Sequence, residues 1–416
     1  MVTYPVVAFY NFLTFYTGFL CNIATHLIAF KQDLWYGFIK PYRGYTMIYL
    51  DYAASSPPFP QVIEKMDATA REHFGNPGAL HTAGAGARAI LQDSRRQIAQ
   101  SLRVRPEEVY FTSGGTESNN WAVQAGCTPG RHHIVCSAAE HSSVLEAVRR
   151  MQRRGYEVTW LNPDPDGRIS PDTAEAALHP GTALLCVQAV NNETGVLQDV
   201  DALAQAARSH NVPYFCDGVQ SFGHVSQDLH KADLISLSAH KLGGPRGIGC
   251  LVVRQPRQML PMILGGGQEF GLRSGTENLP AIAGFSLAAE LICQQLSQEQ
   301  QRIQDLRALL EKGLRSICPE IQIAGENACR SGITFSRFPG ISAEEMVMRL
   351  DLKGICVSPG AACAARNAGP SHVLLSMGYS PKEAAEFVRF SPGRETTVGE
   401  IHETLAAIGE ICRKRF

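Results

Sequence analysis

Lys241 stands where a lysine is costly. The stretch "ADLISLSAHKLGG" (232–244) is apolar or small at nearly every step before it reaches His240 and Lys241, and two glycines follow. An ammonium at the end of a buried strand loses several kcal/mol of hydration unless it is paired or neutralised. A side chain reaching for water would explain the lysine if it stood alone. It does not stand alone. In "TSGGTESNN" (112–120), Gly114 and Gly115 let backbone N–H groups close on an anion, and Thr116 reads as the cap of a helix whose N-terminus favours a phosphate. No Gly-Lys-Ser/Thr follows, which excludes a Walker-type loop, and an ordinary glycine turn with a threonine cap is the competing reading. Asp217 closes the apolar run "VPYFCD" and needs a cationic or protonated partner: a structural ion pair, or a heterocyclic nitrogen that it keeps protonated. Gln220 follows on the same side of the turn, and His141 in "SAAEHSSV" lies just beyond another apolar run.

The elements that would carry these residues alternate regularly. Short apolar runs at 108–113, 133–137, 156–161, 183–190, 213–217, 234–239 and 249–254 read as strands, with helical spacing between them. Such alternation predicts an α/β fold with a mostly parallel sheet covered by helices, and its ligand crevice lies beyond the carboxyl ends of the strands. The polar motifs fall there. "TAGAGAR" (82–88) is also glycine-rich, but no strand precedes it and it reads as a turn. A long helical stripe at 281–317 is expected to bridge two domains, a large one over 60–292 and a smaller α/β one from 47–59 and 293–416. With 19% charged residues and a formal net charge of −1, neither nucleic acid nor an anionic membrane is an expected partner. The 12 cysteines are scattered without a CxxC pair, so no metal site is expected and a reducing, cytoplasmic setting is. Residues 1–46 stand apart. The segment 6–30 has no Asp, Glu, Lys or Arg and would suit a membrane anchor, an apolar tail or upstream sequence from a misplaced start. Met47, opening "MIYLDYAASSP", is expected as the natural beginning.

A phosphate cup, an aspartate for a ring nitrogen and a lysine able to bond to an aldehyde are together the requirements of pyridoxal 5′-phosphate. The lysine becomes nucleophilic in a dry, partly cationic site. Lys241 is therefore expected to carry the cofactor covalently, with Ser238 and His240 near its phosphate.

After Met47 almost the whole chain resembles the NifS/IscS-type cysteine desulfurases, of the class V branch of the fold type I pyridoxal-phosphate enzymes. The resemblance rests on "LDYAA", "FGNP", "FTSGGTESNN", "EHSSV", "VNNETGVLQD", "CDGVQS", "SAHKLGGPRGIG", "GGGQEFGLRSGTEN", "VSPGAACAA" and "VRFSPGRETT", in family order. It implies a cofactor-bonded Lys241 that also moves the substrate's α-proton, Asp217 on the pyridine nitrogen, and Gln220 and Asn192 beside the phenolic oxygen. His141 would stack on the ring and aid proton transfer; Gly115, Thr116, Ser238 and His240 would hold the phosphate. Thr276 would reach the phosphate of the second subunit of a homodimer, and Arg389 would clamp the substrate carboxylate, which Asn192 also approaches. Cys363 would take the sulfur of L-cysteine as a persulfide, leaving L-alanine, for delivery to an iron–sulfur scaffold or a tRNA-thiolation protein. The family usually shows Ser-Ser-Gly-Ser-Ala-Cys here; Pro359 and Ala361 replace serines, and Arg366 adds a charge. Rival expectations are a selenocysteine lyase, a class V aminotransferase, or an inactive partner protein of sulfur assembly. A dinucleotide-binding enzyme is set aside for want of a GxGxxG at the first strand–helix turn.

Overall fold

Alternate side chains along the strands divide between two helical layers. The computed structural model describes residues 47–254, 259–360 and 369–413; the extension 1–46 and Cys363 lie outside them. In chain order the elements are β1 (Ile48–Tyr49), α1 (Pro60–Glu72), α2 (Thr82–Leu102), β2 (Val109–Thr112), α3 (Gly115–Ala125), β3 (His133–Ser137), α4 (Ser142–Arg153) and β4 (Glu157–Leu161). Then come α5 (Pro171–Ala176), β5 (Thr182–Cys186), α6 (Val200–Ser209), β6 (Tyr214–Asp217), β7 (Leu234–Ser238), β8 (Gly249–Val253) and α7 (Leu279–Ile317). The remainder is β9 (Gln322–Ile323), β10 (Thr334–Arg337), α8 (Ala343–Asp351), β11 (Ile355–Cys356), α9 (His372–Ser376), α10 (Pro381–Ala384), β12 (Phe387–Phe390) and α11 (Val398–Arg413).

The large sheet has the order β2-β8-β7-β6-β5-β3-β4. Only β8 is reversed, pairing antiparallel with β2 and β7, so the other strands point one way, as expected from the alternation. Val109, Phe111, Leu185, Ile235, Leu237 and Val252 face a core shared with α1, α2, α6 and the first half of α7. Their neighbours Tyr110, Leu184, Leu234, Leu251 and Val253 face the opposite core, with α3 and α4. A one-residue slip of β7 would carry Ile235 and Leu237 into the opposite core and Leu234 out of it, and misfit side chains in a packed core cost about 1–3 kcal/mol each. Register is fixed by that penalty.

Two sequence expectations change. "TAGAGAR" is the opening of α2 rather than a turn. His81 caps it by accepting from Gly84 N–H, and a Cβ at Gly84 would lie 2.4 Å from the Ala79 oxygen, so the glycine serves close packing. The run at 183–190 pairs regularly only to Cys186, although Val187 and Ala189 still donate to Phe215 and Asp217 carbonyls as the chain leaves for the crevice.

The predicted stripe at 281–317 is α7. Ile282, Phe285 and Ala289 lie in the first core, whereas Leu306, Leu310 and Leu314 lie in a third core with β12, α8 and α11. That third core also takes Ile48 and Leu50 from the chain's beginning. β1 pairs parallel with β11, and Tyr52 N–H and Ser391 N–H bond across to Ser391 and Leu50 carbonyls, so the segment after β1 is stitched beside β12.

Gly249 permits the tightest backbone approach that bears on the crevice. A Cβ there would lie 2.4 Å from the Leu237 oxygen and 2.8 Å from Gly114 Cα. Neither atom can yield without moving β7 or the start of α3. Gly249→Ala is expected to destabilise the protein by about 2–4 kcal/mol. Gly369→Ala, where a Cβ would meet nothing within 4 Å, should stay within about 0.5 kcal/mol. Thermal and denaturant melts of the pair compare the two; equal losses would contradict this packing.

Candidate active site

Because β2, β3, β5, β6 and β7 run the same way, their carboxyl ends share one edge of the sheet. A cavity of about 150 Å³ opens there, lined by Gly115, Thr116, His141, Asn192, Asp217, Gln220, Ser238, His240, Lys241 and Arg389, together with Ala53, Ala54, Asn119, Ser143, Gln188, Val190 and Val219. Thr276 is exposed and does not line it. Cys363 lies outside the described residues, and among those residues no cysteine lines the cavity.

Lys241 ends the single helical turn that follows β7. Its Nζ donates to the Ala53 carbonyl at 2.5 Å and the Ala54 carbonyl at 3.1 Å. The backbone beyond is tied the other way, with Ser56 Oγ donating to the Lys241 oxygen at 2.7 Å. His240 lies 3.3 Å from Ser55 Oγ. Burial pushes its imidazole down to about 4, and the positive charges of Lys241 and Arg246 add to this, so it is neutral near pH 7.

Among the described residues Asp217 holds no ion pair. Its Oδ2 accepts from Asn119 Nδ2 at 2.7 Å and its Oδ1 from Val219 N–H at 2.9 Å. Asn119 Nδ2 also reaches Ser143 Oγ at 2.8 Å, and Ser143 Oγ lies 2.7 Å from His141 Nδ1. Asn119 and Ser143 thus join the aspartate to the histidine, a link the sequence motifs contained without marking. Asn119 is one turn of α3 beyond Thr116, and that spacing was the available signal. His141 also caps α4 by accepting Ser143 N–H at Nδ1, which leaves the neutral ring's proton on Nε2. Burial holds its pKa below the usual value, Lys241 and His372 push the same way, and Asp217 opposes them. The cap of α3 is Gly114, not Thr116, which sits inside the first turn. Gly114 has φ 149°, open to glycine alone, and a Cβ at Gly115 would come within 2.9 Å of Val219 Cγ2.

Arg389 is 1% exposed. Its Nη2 donates to Asp51 Oδ1 at 2.7 Å and its Nη1 to the Asn192 carbonyl at 2.8 Å. Cys356, the cysteine nearest in sequence to Cys363, has its thiol pushed up by burial and by the charges of Asp351 and Asp51, which makes it a poor nucleophile. The cavity suits a flat, polar, phosphorylated ligand. Gln220 Oε1 is buried with no hydrogen-bond partner among the described residues, the glycines bare the α3 amides, and Asp217 and Lys241 line the same cavity.

The sequence profile of the class-V aminotransferases matches residues 48–403. The chain belongs to that family. A cysteine desulfurase IscS of Methylobacillus flagellatus is 40% identical over 371 residues, 86% of this chain and 91% of that protein. A solved NifS-like protein superposes with a TM-score of 0.83 at 30% identity, over 89% of this chain and all of that one. A structure described as SspA in complex with cysteine gives a TM-score of 0.75 at 32% identity, covering 85% of this chain and all of that one.

One buried acid stands behind this family's crevice. Glu140 is fully buried, with Oε1 accepting Gln188 N–H at 2.8 Å and Oε2 unpaired among the described residues. Burial pushes its carboxyl up to about 8, Asp217 adds to the shift, and the Gln188 N–H opposes it. The folded state therefore keeps a proton that the unfolded chain releases from its ordinary value of 4.5 upward. Stability from this group is complete below that value and falls as pH rises to about 8. Glu140→Gln removes the loss. The melting temperature of the variant minus that of wild type should climb from pH 5 to about 8 and then level. A difference independent of pH would show that Glu140 is ionised in the fold.

Proposed function

We propose that this chain is a pyridoxal 5′-phosphate-dependent cysteine desulfurase that converts L-cysteine to L-alanine and passes the sulfur to Cys363 as a persulfide. The observation that carries the reading is the position of Lys241, held on the Ala53 and Ala54 carbonyls in the cavity that also holds Asp217 and His141. Membership of the class-V aminotransferases and the likeness to desulfurases support it.

When bound, the cofactor draws electrons from the substrate's Cα and so labilises the bonds there. Lys241 would hold it covalently and move the α-proton. The α3 amides at Gly115 and Thr116, with Ser238 and neutral His240, would hold its phosphate. Asp217, its carboxyl oxygens held by two donated hydrogen bonds, would face the ring nitrogen, and Gln220 and Asn192 the phenolic oxygen. His141, neutral and held at Nδ1, would lie against the ring with Nε2–H free to take part in proton transfer. Arg389 would bind the substrate carboxylate. In the transfer the carbon–sulfur bond of L-cysteine breaks as a sulfur–sulfur bond forms at Cys363. The carbon gains the proton that completes alanine, and no outside oxidant is required.

We further propose a homodimer in which Thr276 reaches the second subunit's phosphate site. Exposed Leu80, Leu264 and Phe270 support a covered face, since the segments 76–78 and 266–270 line one surface cavity. An iron–sulfur scaffold or a tRNA-thiolation protein would receive the persulfide. The cytoplasm is the proposed setting, which the buried thiols Cys136, Cys186, Cys216 and Cys250 suit.

Purified protein supplied with cofactor, L-cysteine and a thiol reductant is expected to release sulfide and L-alanine in equal amounts. Cys363→Ser should lower sulfide release on the order of 10²–10⁴-fold, the scale of removing a chemical participant. Amino-group transfer to an oxo acid with no sulfide would instead establish an aminotransferase.

A further inference from the structure

Asp51 is the residue whose chemistry the proposed function leaves unused. It lies just beyond β1, outside the large sheet, with a side chain 17% exposed, and it forms an ion pair with the 2%-exposed side chain of Arg389 at 2.7 Å. The pairing is built rather than incidental. Asp51 bridges Ser391 through the backbone, two residues from Arg389, and Tyr49 Oη donates to the Asp51 carbonyl at 3.1 Å. A guanidinium carries five N–H groups. Asp51 takes one at Nη2, the Asn192 carbonyl takes one at Nη1, and Nε has no partner among the described residues. The arginine is thus fixed in direction with donors to spare, while its positive charge is partly balanced.

We propose that Asp51 is a positioning and specificity residue for carboxylate binding: it aims Arg389 into the cavity and, by sharing its charge, weakens its hold on a monocarboxylate. The consequence rests on the desulfurase reading. Substrate cysteine and product alanine carry the same carboxylate, so a tight grip there would be uniform binding, which slows release without lowering the barrier. An Arg389 half neutralised by Asp51 orients the amino acid and lets the product go. The same carboxylate repels a ligand with a second anionic group near that end.

The test uses the cofactor-loaded protein and propionate, which has the carboxylate but neither the amine nor the thiol. Asp51→Asn keeps an oxygen for Arg389 Nη2 and removes the charge. Calorimetry should find propionate bound at least about fivefold more tightly by D51N than by wild type, the direction set by releasing the guanidinium from the counter-charge that shares it. In an Arg389→Gln background the Asp51 substitution should change nothing, since the effect runs through that guanidinium. Asp51→Ser carries the same expectation and serves if D51N fails to fold. Equal or weaker propionate binding, or the same tightening without Arg389, would overturn the proposal. Sulfide release from L-cysteine by the wild-type preparation is read alongside. Its absence would refute the desulfurase and leave the propionate comparison standing.

Discussion

An ammonium withdrawn from bulk water must be given oxygen atoms by the protein, and here they come from far along the chain. Lys241 is delivered by β7, but the oxygens that receive Nζ belong to Ala53 and Ala54, 188 and 187 residues earlier. Neutral carbonyls hold a cation less firmly than a carboxylate would. The two carbonyls therefore fix the direction of the Lys241 side chain at the crevice. Asp217 lines the same cavity, with its oxygens held by Asn119 and Val219.

The short segment 51–56 acts on both cations of the crevice. Its Ala53 and Ala54 carbonyls meet Lys241, while its Asp51 carboxylate meets Arg389. The two ends of the site are thus spaced by one stretch of backbone, itself stitched to Ser391 and to the His240 carbonyl. The large sheet supplies the remainder through strand direction. Five carboxyl ends converge, and each leads into a turn or helix start whose free amides and short side chains face the cavity. The reversed β8 fits against β7 and the start of α3 only because Gly249 has no side chain.

Much of this was legible along the chain, for a physical reason. Short unbroken apolar runs mark the strands, and the polar residues after each are out of place for any purpose but a ligand. Ten residues chosen on that basis and on family resemblance line one cavity. Local pattern was silent on what depends on partners distant in sequence. Nothing near Asp51 announces Arg389, and nothing near Asn119 announces Asp217. "TAGAGAR" reads as a turn yet opens a helix because glycine is ambiguous: the same residue opens a turn or, as at Gly84, admits a neighbouring backbone onto a helix face. Thr116 reads as a cap along the chain, but the φ of Gly114 gives that place to the glycine.

The central claim is a covalent one, that the nitrogen carried by β7 to this edge is where the cofactor is fixed. Borohydride reduction of cofactor-loaded protein, followed by proteolysis and mass mapping, tests it directly. A pyridoxyl group on Lys241 alone is the result this account predicts. Unmodified Lys241 in fully loaded protein, or the group found on a different lysine, would contradict it.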